Sequence, residues 1–209
     1  MHIPDARDRE TARRAFQPFI HYFANCQSVL DIACGRGFLL QMFQEAGIGA
    51  SGVELDKGLC EECRSKGLQV VNEDFFQFLR QSPPNSRDGA VASHIVEHFM
   101  PQQVEELIQL LGRTLKPGSV FLVMTPNIAH LRNAVGDFWR DPTHMRPYPA
   151  PALSKILNRN RWEVIASGES TKRPPSMSRR LSYKVRNLFL GPYWLDEDVY
   201  VVARSPASA

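Results

Sequence analysis

The sequence lacks the features that mark membrane-spanning, fibrous and disulfide-stapled proteins. It has no run of about 18 apolar residues, so we expect no membrane span. Its 13 Gly and 15 Pro in 209 residues are too few for a fibre. Only four cysteines occur, too few to staple a chain of this length, and they fit a reducing cytoplasm. The charged first residues contain no apolar signal core. We therefore predict a cytoplasmic protein.

Strong charge of one sign is also missing. The 25 Lys and Arg residues exceed the 22 Asp and Glu residues by three, which argues against a protein that coats nucleic acid. The positive charge is concentrated, however, because residues 170–195 contain six basic residues and no acid. Leu181, Val185 and Leu188 fall on one helical face of this segment, which predicts contact with an anionic ligand or with the inner face of a membrane. The alternative is an insertion that packs on the core with a solvated basic face.

Short apolar runs alternate with amphipathic helical patterns along most of the chain. This alternation predicts an α/β fold with a doubly wound, mostly parallel sheet, in a single domain over residues 1–209. An N-terminal helix is predicted over 5–25, and Pro18 should kink or split it. Residues 116–118 are predicted to form a turn before the fifth strand. Residues 126–150 and 168–195 interrupt the alternation and are predicted to be substrate-side insertions.

A glycine-rich loop follows the first predicted strand in the segment VLDIACGRG, residues 29–37. Glycines let the backbone approach a ligand closely, and the following helix presents its N-terminus there. Glu54 ends the second predicted strand, where a carboxylate can accept both ribose hydroxyls. Leu40 occupies the place of the third glycine of the dinucleotide fingerprint, so a pyrophosphate-binding, NAD-dependent oxidoreductase is the weaker interpretation.

Four motifs in order resemble those of class I S-adenosylmethionine-dependent methyltransferases. They are VLDIACGRG, the acid Glu54, NEDF at 72–75 and LKPG at 115–118. The resemblance implies a Rossmann-like, seven-stranded sheet of order 3-2-1-4-5-7-6, with strand 7 antiparallel, and S-adenosylmethionine as cofactor. It also implies a cofactor-binding set in which Asp31, Ala33, Gly35 and Gly37 hold the aminocarboxypropyl end, Glu54 the ribose, Leu55, Asp74 and Phe75 the adenine, and Ser93 and His94 the methyl end.

The segment HIVEH, residues 94–98, follows the fourth predicted strand. Its H-x-x-E-H pattern matches an inverted zinc-peptidase motif, but a strand end and Pro101 interrupt the helix that this motif needs. Some methyltransferases acting on quinone-like phenols carry a metal-binding acid-x-x-Glu-His cluster here. His94 replaces the first acid, and we predict no metal. Glu97 and His98 are candidate catalytic residues, the alternative being purely structural hydrogen bonds.

The loop after the fifth strand is dense in Trp, His, Arg and Tyr. Together with EH after strand 4 and TPN at 125–127, the pattern FW-x-DPTH-x-RP at 138–147 resembles methyltransferases of bacterial surface-polysaccharide synthesis. The resemblance implies methylation of a glycan hydroxyl or glycan phosphate. His144 is the candidate base, and Arg146 is the candidate partner of an anionic acceptor. The alternative is that Asp141, His144 and Arg146 only brace the loop.

The sequence therefore predicts a methyltransferase that acts on a small-molecule acceptor, with no nucleic-acid partner. Two other functions stay open, an O-methyltransferase of small phenols or quinone precursors and a non-catalytic S-adenosylmethionine-binding regulatory module. The Cys60-x-x-Cys63 pair lies on a predicted helix without a second pair, so we interpret it as helix packing rather than a zinc or redox site.

Overall fold

The computed structural model describes residues 6–170, 185, 188 and 197–207. Seven strands form one sheet in the order β3-β2-β1-β4-β5-β7-β6. They are β1 Val29–Ile32, β2 Ala50–Glu54, β3 Val70–Asn72, β4 Arg87–Ser93, β5 Leu115–Pro126, β6 Glu163–Ser170 and β7 Asp198–Arg204. The first five strands pair in parallel, and β7 is antiparallel to both β5 and β6. The predicted fold class and strand order are confirmed.

In the part of the chain with fully described elements, six α-helices accompany the strands, and their ends follow local sequence signals. They are α1 Ala6–Phe16, α2 Phe38–Glu45, α3 Lys57–Ser65, α4 Phe75–Gln81, α5 Pro101–Thr114 and α6 Ala150–Arg159. Asp56 and Asp74 cap α3 and α4, because each carboxylate accepts a hydrogen bond from a backbone amide of the first turn. The predicted split at Pro18 occurs, since α1 gives way to a 3₁₀ helix over Gln17–Phe23.

The turn predicted at residues 116–118 is wrong. Strand β5 already begins at Leu115, and its register on β4 breaks between the pairs Arg87–Leu115 and Gly89–Val120. Gly118 has a φ of +75°, and its amide donates to the carbonyl of Ser205 at 3.2 Å. The segment is thus an irregularity within β5. It is hydrogen-bonded to Ser205, near the end of the described residues.

Both faces of the sheet are covered. Leu30 and Ile32 of β1 point into a large cluster with α4, α5 and α6, whereas Val29 points to the opposite cluster with the 3₁₀ helix and α2. This continuous burial is expected of a central parallel strand. Within the described residues, no helix is both long and apolar enough to cross a membrane.

Short helical turns surround the carboxyl ends of the parallel strands. A 3₁₀ turn over Val96–His98 follows β4, and a π-helical turn over Asn133–Asp137 and a 3₁₀ turn over Phe138–Arg140 follow β5. These elements occupy much of the predicted insertion at 126–150. The predicted insertion at 168–195 lies mostly outside the described residues, and β6 extends through its first three residues.

Candidate functional site

The loop after β1 forms the floor of a cavity. Ala33, Gly35 and Gly37 have φ values of +54°, +55° and +72°. Gly37 has no room for a side chain, because a Cβ there would lie 2.6 Å from Leu68 Cδ1 and 2.9 Å from Cys63 Sγ. Gly35 differs, since the space that a Cβ would enter is open. The loop is therefore packed tightly from below and is open toward a ligand.

Asp31 lies in β1, one residue before its end and just before this loop, and is only 4% exposed. Burial, with smaller contributions from Cys63 and Glu54, raises the pKa of Asp31 to about 8. A cationic ligand group nearby would favour the ionised carboxylate. The residue therefore fits its predicted place beside the amino end of the cofactor.

Glu54 is fixed by two backbone amides. Its Oε2 accepts from the amide of Gly35 at 2.9 Å, and its Oε1 accepts from the amide of Asp56 at 2.9 Å. The carboxylate therefore ties the end of β2 to the glycine loop. These bonds fix the orientation of the carboxylate, whose predicted role is to bind the ribose.

A cavity of about 270 Å³ lies above the glycine loop. Four of the predicted cofactor residues line it, namely Asp31, Ala33, Ser93 and His94. Helix α1 lines the other side through Thr11, Ala12, Ala15 and Phe16. This second wall was not predicted, because the apolar face of α1 has the pattern of a core-packing helix.

The predicted adenine residues lie at the ends of β2 and β3, outside the lining of that cavity. Asn72 donates through Nδ2 to the carbonyls of Glu54 and Leu55 at 3.0 and 2.8 Å. The Asp74 carboxylate accepts from the amide of Gln77 at 2.9 Å, Phe75 is buried, and Leu55 is 71% exposed. The predicted cofactor set is thus divided, because the predicted adenine residues are not part of the described lining of the cavity.

His94 follows β4 with a φ of +53°. Its Nδ1 lies 3.4 Å from Glu97 Oε1, and its Nε2 lies 3.4 Å from Asp198 Oδ2. Both carboxylates are buried. The imidazole is held between them, which joins the end of β4 to the start of β7.

A second cavity, of about 290 Å³, shares His94 with the first. The other described residues that line it are Pro126, His130, Asn133, Asp137, Phe138, His144, Glu197 and Asp198. They include three carboxylates and no lysine or arginine. His130 and Asn133 belong to the predicted insertion at 126–150 but were not singled out, and Asp198, at the start of β7, was not predicted.

Glu97 is completely buried and holds the loop after β5 in place. Its Oε2 accepts from Thr125 Oγ1 at 3.0 Å. Its carbonyl accepts from the amides of Met145 and Arg146 at 2.8 and 3.2 Å. Glu97 is absent from the described lining of both cavities. Its hydrogen bonds instead fix the position of Thr125 and of the backbone at Met145 and Arg146.

His98 and His144 lie side by side, with ring centroids 4.8 Å apart. Nδ1 of His144 lies 2.7 Å from the carbonyl of Phe138, so Nδ1 carries a proton and donates there. Nδ1 of His98 contacts Thr143 through both the backbone carbonyl, at 3.3 Å, and Oγ1, at 2.9 Å. Hydrogen bonds from Thr143 lower the pKa of Asp141. The two histidines are thus oriented by the loop around them.

Glu97, His98 and His144 form the one described group that could offer three metal ligands, with ligand atoms within 4.8 Å of one another. A metal bound at about 2.1 Å to each ligand needs ligand atoms no more than about 4.2 Å apart. The observed spacing alone therefore does not make a coordination site. The absence of a metal stays a prediction.

Arg146 lies apart from these residues. It is exposed, its guanidinium carbon is 5.7 Å from the centre of the Tyr148 ring, and it is not among the described lining of the second cavity. A larger cavity of about 470 Å³ occurs near Ser28, Ala50 and Arg87. Its described lining contains none of the predicted site residues.

The seven-stranded sheet, in this strand order and with β7 antiparallel, is the class I, Rossmann-like methyltransferase fold. The chain belongs to the family described as "methyltransferase domain", which matches residues 6–167. The predicted enzyme class and S-adenosylmethionine cofactor are confirmed.

Two curated proteins and one solved structure are among those similar to this chain. The chain is 27% identical over 150 residues to a probable S-adenosylmethionine-dependent methyltransferase of Mycolicibacterium smegmatis, covering 71% of this chain and 56% of that protein. It is 25% identical over 138 residues to a carboxy-S-adenosyl-L-methionine synthase of Desulfotalea psychrophila, covering 62% and 56%. The chain thus spans about half the length of these curated relatives. A crystal structure of a SAM-dependent methyltransferase from Archaeoglobus fulgidus superposes with a TM-score of 0.76, at 27% identity and over 95% and 94% of the two chains.

Proposed function

We propose that the protein transfers the methyl group of S-adenosylmethionine to a hydroxyl group of a glycan bound in the second cavity. The observation that carries the proposal is the shared wall: His94 lines both the cofactor cavity and the second cavity. If the methyl end of the cofactor lies at His94, as the resemblance implies, an acceptor bound in the second cavity would lie next to it. S-adenosylmethionine supplies an electrophilic methyl group, and positioning the acceptor in line with it provides most of the acceleration.

His144 is the proposed general base. Because its Nδ1 donates to the carbonyl of Phe138, the neutral ring presents Nε2 as a proton acceptor. The side chain is only 12% exposed and lines the second cavity. Asp141 Oδ2 lies 3.9 Å from Nε2 and would stabilise the imidazolium that forms. These contacts support proton removal from a hydroxyl at the cavity wall.

The charge of the second cavity favours a glycan hydroxyl over a glycan phosphate. Asp137, Glu197 and Asp198 supply carboxylates, which hydrogen-bond sugar hydroxyls well and repel a phosphate. Arg146, the predicted partner of an anionic acceptor, is not in the described lining. We therefore propose a neutral polyhydroxyl acceptor. A phenol or quinone precursor is the alternative acceptor, and a SAM-binding regulatory module is the non-catalytic alternative.

The test is methyl transfer from labelled S-adenosylmethionine to a panel of free glycans, sugar nucleotides, phosphorylated sugars and phenols. We expect turnover with a neutral sugar, and we expect His144→Gln to lower kcat by about 100-fold while the Kd for S-adenosylhomocysteine stays unchanged. His21→Ala, at an exposed histidine of the first 3₁₀ helix, is the matched control. Unchanged turnover in His144→Gln would exclude the base, and transfer only to phenols or to phosphates would exclude the glycan hydroxyl. Cofactor binding without any turnover would favour the regulatory module.

We also propose that residues 170–195 contact an anionic membrane at the inner face. Most of this segment lies outside the described residues. Val185 and Leu188, two of the residues predicted to share an apolar face, are described, and they are 48% and 80% exposed. Their exposure supports a face available for an external surface.

A further inference from the structure

The cavity of about 470 Å³ lies at the amino ends of the central strands, at the edge of the sheet opposite to the glycine loop. Three of its polar lining residues come from neighbouring strands: Ser28 immediately precedes β1, Ser51 is the second residue of β2, and Arg87 begins β4. Asp31 and Glu54 lie toward the other ends of β1 and β2. This amino-edge cavity is therefore separate from the cofactor site.

Arg87 is fixed by two serine hydroxyls. Its Nη1 donates to Ser28 Oγ at 3.1 Å and to Ser51 Oγ at 3.0 Å. The side chain is half-buried, and its guanidinium carbon lies 5.9 Å from the centre of the Phe78 ring. The guanidinium is therefore held in one place at the wall of the cavity, and its other N–H groups form no hydrogen bond with the described residues.

The positive charge of Arg87 has no carboxylate partner among the described residues. Asp88 follows it in β4, but this carboxylate accepts from the amides of Gln27 and Ser28 at 3.0 and 2.8 Å and lies 3.8 Å from Lys116 Nζ. Desolvation lowers the pKa of Arg87, although a guanidinium stays charged in a protein. An anion bound beside Arg87 would restore the stabilisation that the cation loses with its water.

A neighbouring cavity of about 490 Å³ also borders Ser28 and Arg87. Its described lining includes Glu73, whose carboxylate would repel an anion. The described lining of the amino-edge cavity contains no Asp or Glu. An anion is therefore favoured on the amino-edge side of the guanidinium.

The rest of the described lining of the amino-edge cavity is polar and uncharged. Gln27, Gln44 and Gln69 contribute amide groups that both donate and accept. Gly47 and Gly67 follow the ends of α2 and α3, and the space that a Cβ would enter is open at both. Because the carboxyl ends of helices carry partial negative charge, this side of the cavity suits hydroxyl donors and not a second anion.

We propose that the amino-edge cavity binds a small phosphorylated polyhydroxyl compound, such as a sugar phosphate. Its phosphate would pair with Arg87, whose planar guanidinium matches phosphate oxygens through parallel N–H···O bonds. Ser28 and Ser51 accept from Arg87 through their oxygens, so each hydroxyl keeps its proton to donate to the phosphate. The volume lies within the range of small-molecule pockets, about 300–1,000 Å³. The proposal adds a second ligand site and does not depend on the acceptor.

The experiment titrates glucose 6-phosphate into the full chain saturated with S-adenosylhomocysteine and measures binding by calorimetry. The saturating ligand occupies the cofactor cavity, so that cavity cannot account for the heat. We expect Arg87→Gln to weaken the affinity for glucose 6-phosphate by at least about tenfold, the scale of one lost hydrogen bond between charged groups. Glucose and inorganic phosphate should each bind more weakly than glucose 6-phosphate, because each lacks one half of the recognised chemistry.

Two further substitutions at the site separate charge from geometry. Arg87→Lys keeps the charge but loses the planar fork, so it should restore the affinity only in part. Ser51→Ala removes one hydroxyl and leaves Arg87 in place, so it should weaken binding several-fold and serves as the test if the Arg87 variants fail to fold. The Kd for S-adenosylhomocysteine reports folding, because neither residue is in the described lining of the cofactor cavity.

Arg159→Gln is the matched control. It removes one positive charge from an exposed arginine of α6 that pairs with Glu105 and is not in the described lining of the amino-edge cavity. It should bind glucose 6-phosphate as the unmodified protein does. The proposal is overturned by the absence of binding to the unmodified protein, by equal affinities in Arg87→Gln and the unmodified protein, or by equal weakening in Arg87→Gln and Arg159→Gln. Glucose or inorganic phosphate binding as tightly as glucose 6-phosphate would also overturn it.

Discussion

Asp31 is the acidic residue whose protonation depends most clearly on the fold. It lies next to the end of β1, just before the glycine loop, and is almost without solvent contact. Because burial raises its pKa to about 8, the native protein holds a proton that the unfolded chain has already lost above about pH 4. The native state therefore binds more protons across this interval, and the contribution of Asp31 to the free energy of unfolding falls as the pH rises toward 8.

We expect Asp31→Asn to remove this pH dependence. Relative to the unmodified protein, the Tm of the variant should rise progressively between pH 4 and pH 8, in the absence of cofactor. Thermal unfolding of both proteins across this range measures the difference, with the exposed substitution Glu61→Gln as control. A Tm difference that stays constant with pH would show that Asp31 does not titrate as its burial indicates.

The residues of the cofactor half could be predicted, and those of the acceptor half largely could not. Asp31 and Glu54 follow from short motifs at strand ends, where position along one strand fixes position in the site. Asp198 is different, because only its pairing opposite Pro126 in the β5–β7 register brings it to the second cavity. Such a long-range register is set by packing of the whole sheet and leaves no local sequence pattern.

At the scale of elements, the glycine loop and α3 form one packed unit. Gly37 has a left-handed φ of +72°. A Cβ at this position would lie too close to Cys63 of α3 and to Leu68, which follows α3. Gly47 has a similar φ of +71° at the end of α2, but nothing lies within 4 Å of the position of its missing Cβ. A substitution at Gly37 would therefore introduce both backbone strain and steric overlap, whereas a substitution at Gly47 would introduce backbone strain alone.

We expect Gly37→Ala to lower the free energy of unfolding by about 2–5 kcal/mol, the sum of strain at positive φ and overpacking. Gly47→Ala should cost only the strain, about 1–2 kcal/mol. Urea denaturation of both variants measures the difference. Equal losses would show that the contacts of Gly37 with Leu68 and Cys63 relax without cost.

Most elements could be predicted because their signals are local. The alternation of strands and helices and the break at Pro18 each depend on a few neighbouring residues. The segment 116–118 was predicted wrongly, since Pro and Gly usually mark turns and its strand pairing depends on the distant Ser205. The role of α1 as a cavity wall was missed for a similar reason, because an apolar helical face does not reveal what it covers.

At the scale of the whole molecule, the proposed membrane contact of residues 170–195 rests on charge and can be tested by charge reversal. We expect the protein to sediment with vesicles that contain phosphatidylglycerol at low salt, and to be released as salt screens the attraction. Lys184→Glu with Arg186→Glu should abolish sedimentation, whereas Lys57→Glu with Lys155→Glu, at exposed positions of α3 and α6, should not. An equal loss of sedimentation in both double variants would show that the overall charge of the protein causes the attraction. If the unmodified protein does not sediment with the vesicles at low salt, the membrane contact is excluded.

The position of helix α1 would link cofactor binding to the ordering of the amino-terminal helix. Its residues form one wall of the cofactor cavity, while Arg9 and Arg13 hold it to Glu45 of α2 through ion pairs of 2.6 and 2.5 Å. A ligand that contacts this wall would bind more tightly when α1 is in place, and the two equilibria would then be reciprocal. Each gain in cofactor occupancy anchors the amino end of the protein more firmly, and each loosening of that end returns cofactor to solution.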